Sequence, residues 1–162
     1  MVVAVAIFSL LVGVASSVFL SSIKNQKQGL ATQEVLDQAS YLTEYMSRSL
    51  RMAKKDMTGG CTGTAKLNYA FTDDQCLKFL NYNGICQQFC LDGTRLKDEN
   101  GNYLTSASLQ VSNFAVVLSG AVQPPIDYLQ PRVTVSLNIA GQEQTSLKIQ
   151  TTVSQRNLDV RK

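Results

Sequence analysis

The residues with the plainest chemistry in this chain are four cysteines, Cys61, Cys76, Cys86 and Cys90, accompanied by no histidine anywhere in the sequence. An even number of clustered thiols reads as two disulfides formed outside the cytoplasm. Zinc is the rival reading, but the spacings lack Cys-x-x-Cys pairs and no histidine can complete a ligand set. The missing histidine also removes the commonest general base and the usual activator of a serine or cysteine nucleophile. Asp73-Asp74 and Asp98-Glu99 are carboxylate pairs, yet adjacent strand residues point to opposite faces and both pairs sit by turns, as solvated acids do. Asp98, Asn100 and Asn102 have the spacing of the start of a calcium loop, without its distal bidentate glutamate. Gly59-Gly60 is followed by Cys61 and Thr62 and not by a lysine-bearing helix, so no phosphate loop is expected. The expectation is a non-enzymatic chain with no cofactor, metal or catalytic residue.

The cysteines need a frame, and the turn signals supply one. Asn83-Gly84 and Asn100-Gly101 are hairpin dipeptides, predicted to form turns with positive φ at both central positions. The first joins Leu77–Tyr82 to Ile85–Leu91, which sets Cys76 nearly opposite Cys90. Of the three pairings that four cysteines allow, this favours Cys76 with Cys90 and leaves Cys61 for Cys86, tying the end of a preceding helix to the sheet. With loops of roughly 15 to 26 residues closed, each bridge adds about 3 kcal/mol in the chain-entropy account. The second hairpin joins Thr94–Lys97 to Tyr103–Thr105.

Residues 58–162 form the predicted head, rich in strands and turns. Val133, Val135, Leu137 and Ile139 alternate with polar residues, as do Leu147, Ile149, Thr151 and Val153, so each run has one apolar face. Leu109–Leu118 is a third strand with Phe114, Val116 and Leu118 inward, and Pro124, Pro125 and Pro131 confine Gly120–Gln130 to a loop. These strands read as one antiparallel sheet, and no repeat or charge run suggests a second domain.

Ahead of the head lies one long helix. Met1–Ile23 carries no charge, and at about 1.5 Å per residue it spans roughly 34 Å, enough for a hydrocarbon core of about 30 Å. Small residues are interleaved with large apolar ones, which lets helices approach closely. A cleaved signal peptide is the alternative for this segment, but the basic n-region is missing. Residues 24–57 continue the helix with an apolar stripe of Val35, Ala39, Leu42, Met46, Leu50, Ala53 and Met57. Gly29 is its weak point and a candidate kink, and Gly59, Gly60 and Gly63 are expected to end it. The fold class is therefore α+β: a membrane-spanning half and an amphipathic half of one helix, about 84 Å if unbroken, packed on an antiparallel sheet. Arg48, Arg51, Lys54 and Lys55 form the one basic cluster of a chain with a net charge of +3. A solvated helix face, favoured there by the helix dipole, is the leading reading of it.

Met1-Val2-Val3-Ala4-Val5-Ala6-Ile7-Phe8-Ser9-Leu10-Leu11 resembles the segment that follows the processing motif of type IV pilins and pseudopilins. The strand ending Leu147-Lys148-Ile149-Gln150-Thr151-Thr152-Val153-Ser154-Gln155-Arg156 resembles minor pilin-like subunits. That family's basic leader and Phe-Thr-Leu-Ile-Glu motif are not among these residues. Either the sequence starts downstream of them, with Met1 just past the motif's glutamate, or this chain is not processed in the family's way. The resemblance implies a pilin-like fold and an extracytoplasmic head on a single membrane pass, ending in an extracellular or periplasmic filament. This overrides the positive-inside tendency of Lys24 and Lys27. It also implies other pilin-like subunits, an inner-membrane assembly platform and the membrane as partners. Nucleic acid, bound by some competence pilins, is the weaker reading of the basic cluster.

Three functions follow as expectations. The first is a structural subunit assembling through Val5, Leu10, Gly13, Val14 and Phe19 and their neighbours in a filament for pilus biogenesis, type II secretion or DNA uptake. The second is a monomeric anchored domain that binds a ligand with loops Gly120–Gln130 and Asp92–Asn102. The third is an anchored enzyme using carboxylates.

Overall fold

A computed structural model describes residues 1–122 and 129–156. A single helix, α1 (Val2–Arg51), runs through 50 residues, about 75 Å, without interruption at Gly29. It ends at Met52, short of residue 57 and well before the glycines expected to stop it. The end is made by tertiary partners. The buried Tyr69 hydroxyl donates to the Leu50 carbonyl (2.7 Å) and Gln155 Nε2 to the Ala53 carbonyl (2.9 Å). The Arg156 N–H donates to the Arg51 carbonyl (2.8 Å). The Leu50 carbonyl also accepts from the Ala53 N–H (3.2 Å), so side chains and backbone from the head hold the carbonyls at and just past the last helical turn. Beyond Ala53 the chain is extended, and Lys54 and Asp56 bridge to Leu80 and Leu67. The apolar stripe therefore holds from Val35 through Ala53, joined by Ala31, whereas Met57 is 61% exposed because the helical period no longer applies there.

The head contains two antiparallel sheets where one was expected. β1 (Tyr69–Thr72), β2 (Cys76–Leu80), β3 (Cys86–Asp92) and β4 (Arg95–Lys97) pair in sequence order, as do β5 (Gln110–Ser119), β6 (Arg132–Ala140) and β7 (Ser146–Ser154). Backbone bonds from the Val111 N–H to the Thr94 carbonyl and the Asn68 N–H to the Ala121 carbonyl join the two where they meet. Both sheets and the stripe of α1 share one core. Leu42, Met46 and Leu50 meet Leu77, Phe79 and Phe89 from the first sheet and Val133, Val135 and Leu137 from the second.

Local chemistry sets the details. In β5 a bulge between Val111 and Asn113 resets the alternation, so Val111 and Phe114 are buried three apart, while Val116 and Leu118 are only partly covered. Both Asn-Gly hairpins form, but with positive φ at the glycine alone, Gly84 and Gly101. Asn81 and Asp98 each open their turn with a side chain that accepts backbone N–H bonds two and four residues on. The central residues thus sit in an ordinary turn and the glycine takes the left-handed position after it. The turn with both central residues at positive φ lies elsewhere: Glu143 (φ 52°) and Gln144 (φ 58°) join β6 to β7. Gly120 and the Leu129 carbonyl approach so closely that a Cβ at Gly120 would lie 2.7 Å from the oxygen. The middle of that expected loop, 123–128, is outside the described residues.

Candidate assembly surface and the joint that presents it

The residues expected to carry assembly stand clear of the head. Val5, Leu10, Val14 and Phe19 are all exposed, Leu10 at 71%, and a Cβ at Gly13 would meet open space. By length and composition this is the one described helix able to cross a membrane, and its apolar stretch lies wholly outside the head. Ser9, Ser16 and Ser17 donate their hydroxyls to carbonyls three or four residues back, which satisfies them without a partner helix and makes them compatible with lipid.

The surface is presented by a rigid joint. Cys61 is bonded to Cys86 (Cα–Cα 5.2 Å) and Cys76 to Cys90 (4.0 Å), the latter pair directly opposed in the β2–β3 ladder. Between the helix end and Cys61 sits Asp56, 2% exposed. One of its oxygens accepts from the N–H groups of Thr58 (3.2 Å) and Gly59 (2.8 Å), the other from those of Cys61 (2.8 Å) and Thr62 (2.9 Å). The Thr58 and Thr62 hydroxyls add two further bonds. The Thr62 N–H foremost, with those of Cys61 and Gly59, outweighs the opposing effect of burial and holds this carboxyl well below the usual range. The expected helix over residues 24–57 placed Asp56 inside its last turn, with no role of its own. The signal was there in Asp56-Met57-Thr58-Gly59-Gly60, an acid followed by hydroxyl and glycine, which is turn chemistry.

The remaining candidates have structural duties. Arg48 pairs with Glu44 one turn back, Lys54 lies 5.0 Å from the Tyr82 ring centroid, and burial pushes the Lys55 amine down. Within the expected basic cluster, Arg48 is thus paired on its own helix, while Lys54 and Lys55 lie past the helix end and not on its face. Asp73 and Asp74 occupy the tight β1–β2 turn closed by the Gln75 N–H on the Thr72 carbonyl. Burial pushes the Asp98 carboxyl up, but bonds from the Asn102 side chain and from the N–H groups of Asn102, Asn100 and Gly101 bring it below its ordinary value. Its oxygens serve their own turn. Near it, Arg95 stacks 3.8 Å from the Tyr103 centroid, and Asp92 accepts from Lys97 and Tyr103. Among the described residues, no three His, Cys, Asp or Glu side chains converge on a point where a metal could sit.

No protein-family model, no curated protein and no solved structure matches the chain.

Proposed function

We propose that this chain is a structural subunit, a minor pilin or pseudopilin, of an extracytoplasmic type IV pilus-like filament, inserted first in the membrane and then among copies or relatives of itself. The observation that carries the reading is the continuity of α1: one unbroken helix whose first half has no contact with the head and whose second half is built into its core. A tether need only hold a domain near a membrane, and a flexible linker does that; a rigid rod fixes the head's height and orientation relative to neighbouring rods. Extracting residues 2–23 from lipid exposes apolar surface at about 25 cal/mol per Å2. Neighbouring helices that replace the lipid offset that cost, so leaving the bilayer and joining the filament are one event.

The alternative, a monomeric anchored binding domain, makes the opposite demand on this segment. Replacing residues 1–23 with an unrelated uncharged span of equal length tests the two. The filament reading predicts loss of self-association with the head still folded and membrane-bound, whereas unchanged function with a substitute anchor supports the monomeric reading.

A further inference from the structure

β7 ends the second sheet as an open edge. Among the described residues nothing pairs with its outer side, although an uncovered edge offers a row of N–H and C=O groups to any extended chain. Proteins blunt such edges by keeping them short, bulged, proline-bearing or covered. The other sheet margins follow that rule. β1 and β4 are four and three residues long, and the Val111 N–H of β5 donates to the Thr94 carbonyl just ahead of β4. β7 instead runs for nine residues, Ser146–Ser154, without proline and in unbroken register with β6. Beside it lies an open groove of about 460 Å3, with Leu36, Ala39, Ser40 and Thr43 on its helix wall and Leu147 and Ile149 on its sheet wall. A second groove, of about 470 Å3, continues it past Glu44 and Ser47 to Arg51 and Met52.

The charge around this edge has one sign. Arg51, Arg132, Lys148 and Arg156 are all exposed, and among the described residues none of them is in an ion pair. Glu44 on the helix wall is paired with Arg48, and from Gln110 to Arg156 the described residues include one acid, Glu143 in the β6–β7 turn. We propose that the β7 edge is a docking site for an extended segment of a partner protein, apolar at alternate positions and acidic between them. Main-chain bonds to β7 supply affinity in such strand addition, and the side chains choose the sequence. Successive side chains of the added strand point to opposite faces. One set fills the groove between Leu36 and the pair Leu147 and Ile149. The other set lies on the outer face with Lys148 and, one strand further, Arg132, while Arg51 stands at the far end of the trough. A second copy of this edge is the poorer match, because it sets the same positive residues opposite one another. The membrane half of α1 takes no part, so the edge works the same way whether the head sits in a filament or alone.

The test uses the full chain in detergent micelles and a capped peptide of about eight residues, the length of an ordinary strand, alternating valine with glutamate. Hydrogen exchange read by mass spectrometry should slow about tenfold over Ser146–Ser154 when the peptide is added, with the first sheet unchanged. The same peptide with lysine for glutamate should bind about tenfold more weakly. Lys148→Glu should weaken the glutamate peptide by a similar factor, and Leu36→Asp, on the exposed helix wall, serves if that variant fails to fold. No slowing over β7, or equal slowing by the two peptides, overturns the proposal. Slow exchange over β7 in the chain alone overturns it too. If that protection is lost on dilution, a second copy covers the edge; if it is lost when the chain is ended after Arg156, the chain's own last residues do.

Discussion

Asp56 shows how one side chain can hold a joint together. Its carboxylate gathers four backbone N–H groups and two hydroxyls into the turn that turns the chain from helix to sheet. Asp56→Ala leaves those donors without their acceptor and is expected to cost about 3 kcal/mol in the head, read by urea denaturation, with α1 still helical by circular dichroism. The pH dependence has a definite sign. Because the folded-state carboxyl titrates below its unfolded value, its contribution is fully present above about pH 4 and is lost as pH falls further, so Asp56→Asn should flatten the acid limb of the stability profile. Tyr69 works at the other extreme. Burial pushes its hydroxyl up, so in the fold it stays protonated and keeps donating to Leu50 above pH 10, while the stability that rests on it is fully present below about pH 10 and declines above as the unfolded hydroxyl ionises. Glu143 and Gln144 sit in the left-handed region without being glycine or asparagine, which costs about 1 kcal/mol each. Gln144→Gly should raise the thermal midpoint, checked by calorimetry.

At the scale of elements, the patterns that rest on periodicity were legible and those that rest on partners were not. The stripe from Val35 to Ala53 and the face Val133, Val135, Leu137 and Ile139 follow from spacing alone, because burial must repeat with the helix or strand period. The helix end was misplaced because Tyr69, Gln155 and Arg156, which take its carbonyls, are 19 or more positions away in sequence. The second sheet was missed for a related reason: alternation shows that a strand has an apolar face, not which strand pairs with it. The Asn-Gly hairpins came at the right places, but their turn geometry was set by Asn81 and Asp98, one step outside the dipeptides. Two substitutions separate the halves of α1. Leu42→Ala, in the core, should lower head stability by about 2–5 kcal/mol, whereas Leu10→Ala should leave the head's unfolding curve unchanged and weaken association between copies.

For the whole molecule, the joint and the two disulfides make rod and head one body. Cys61–Cys86 closes a loop with a sequence separation of 25 and Cys76–Cys90 one of 14. Replacing either pair by serine should lower head stability by about 3 kcal/mol in the chain-entropy account. The candidate surface itself was plain in the sequence, since 23 residues without a charge announce what they avoid. What covers that surface was not, because lipid and a neighbouring helix ask for the same apolar residues. The most direct measurement is immunogold electron microscopy, with an antibody to the head, of material sheared from intact cells into detergent-free buffer. The account predicts thin filaments labelled along their length or at their ends. Head epitope found wholly in the membrane fraction, and extracted by detergent as single copies, would contradict it.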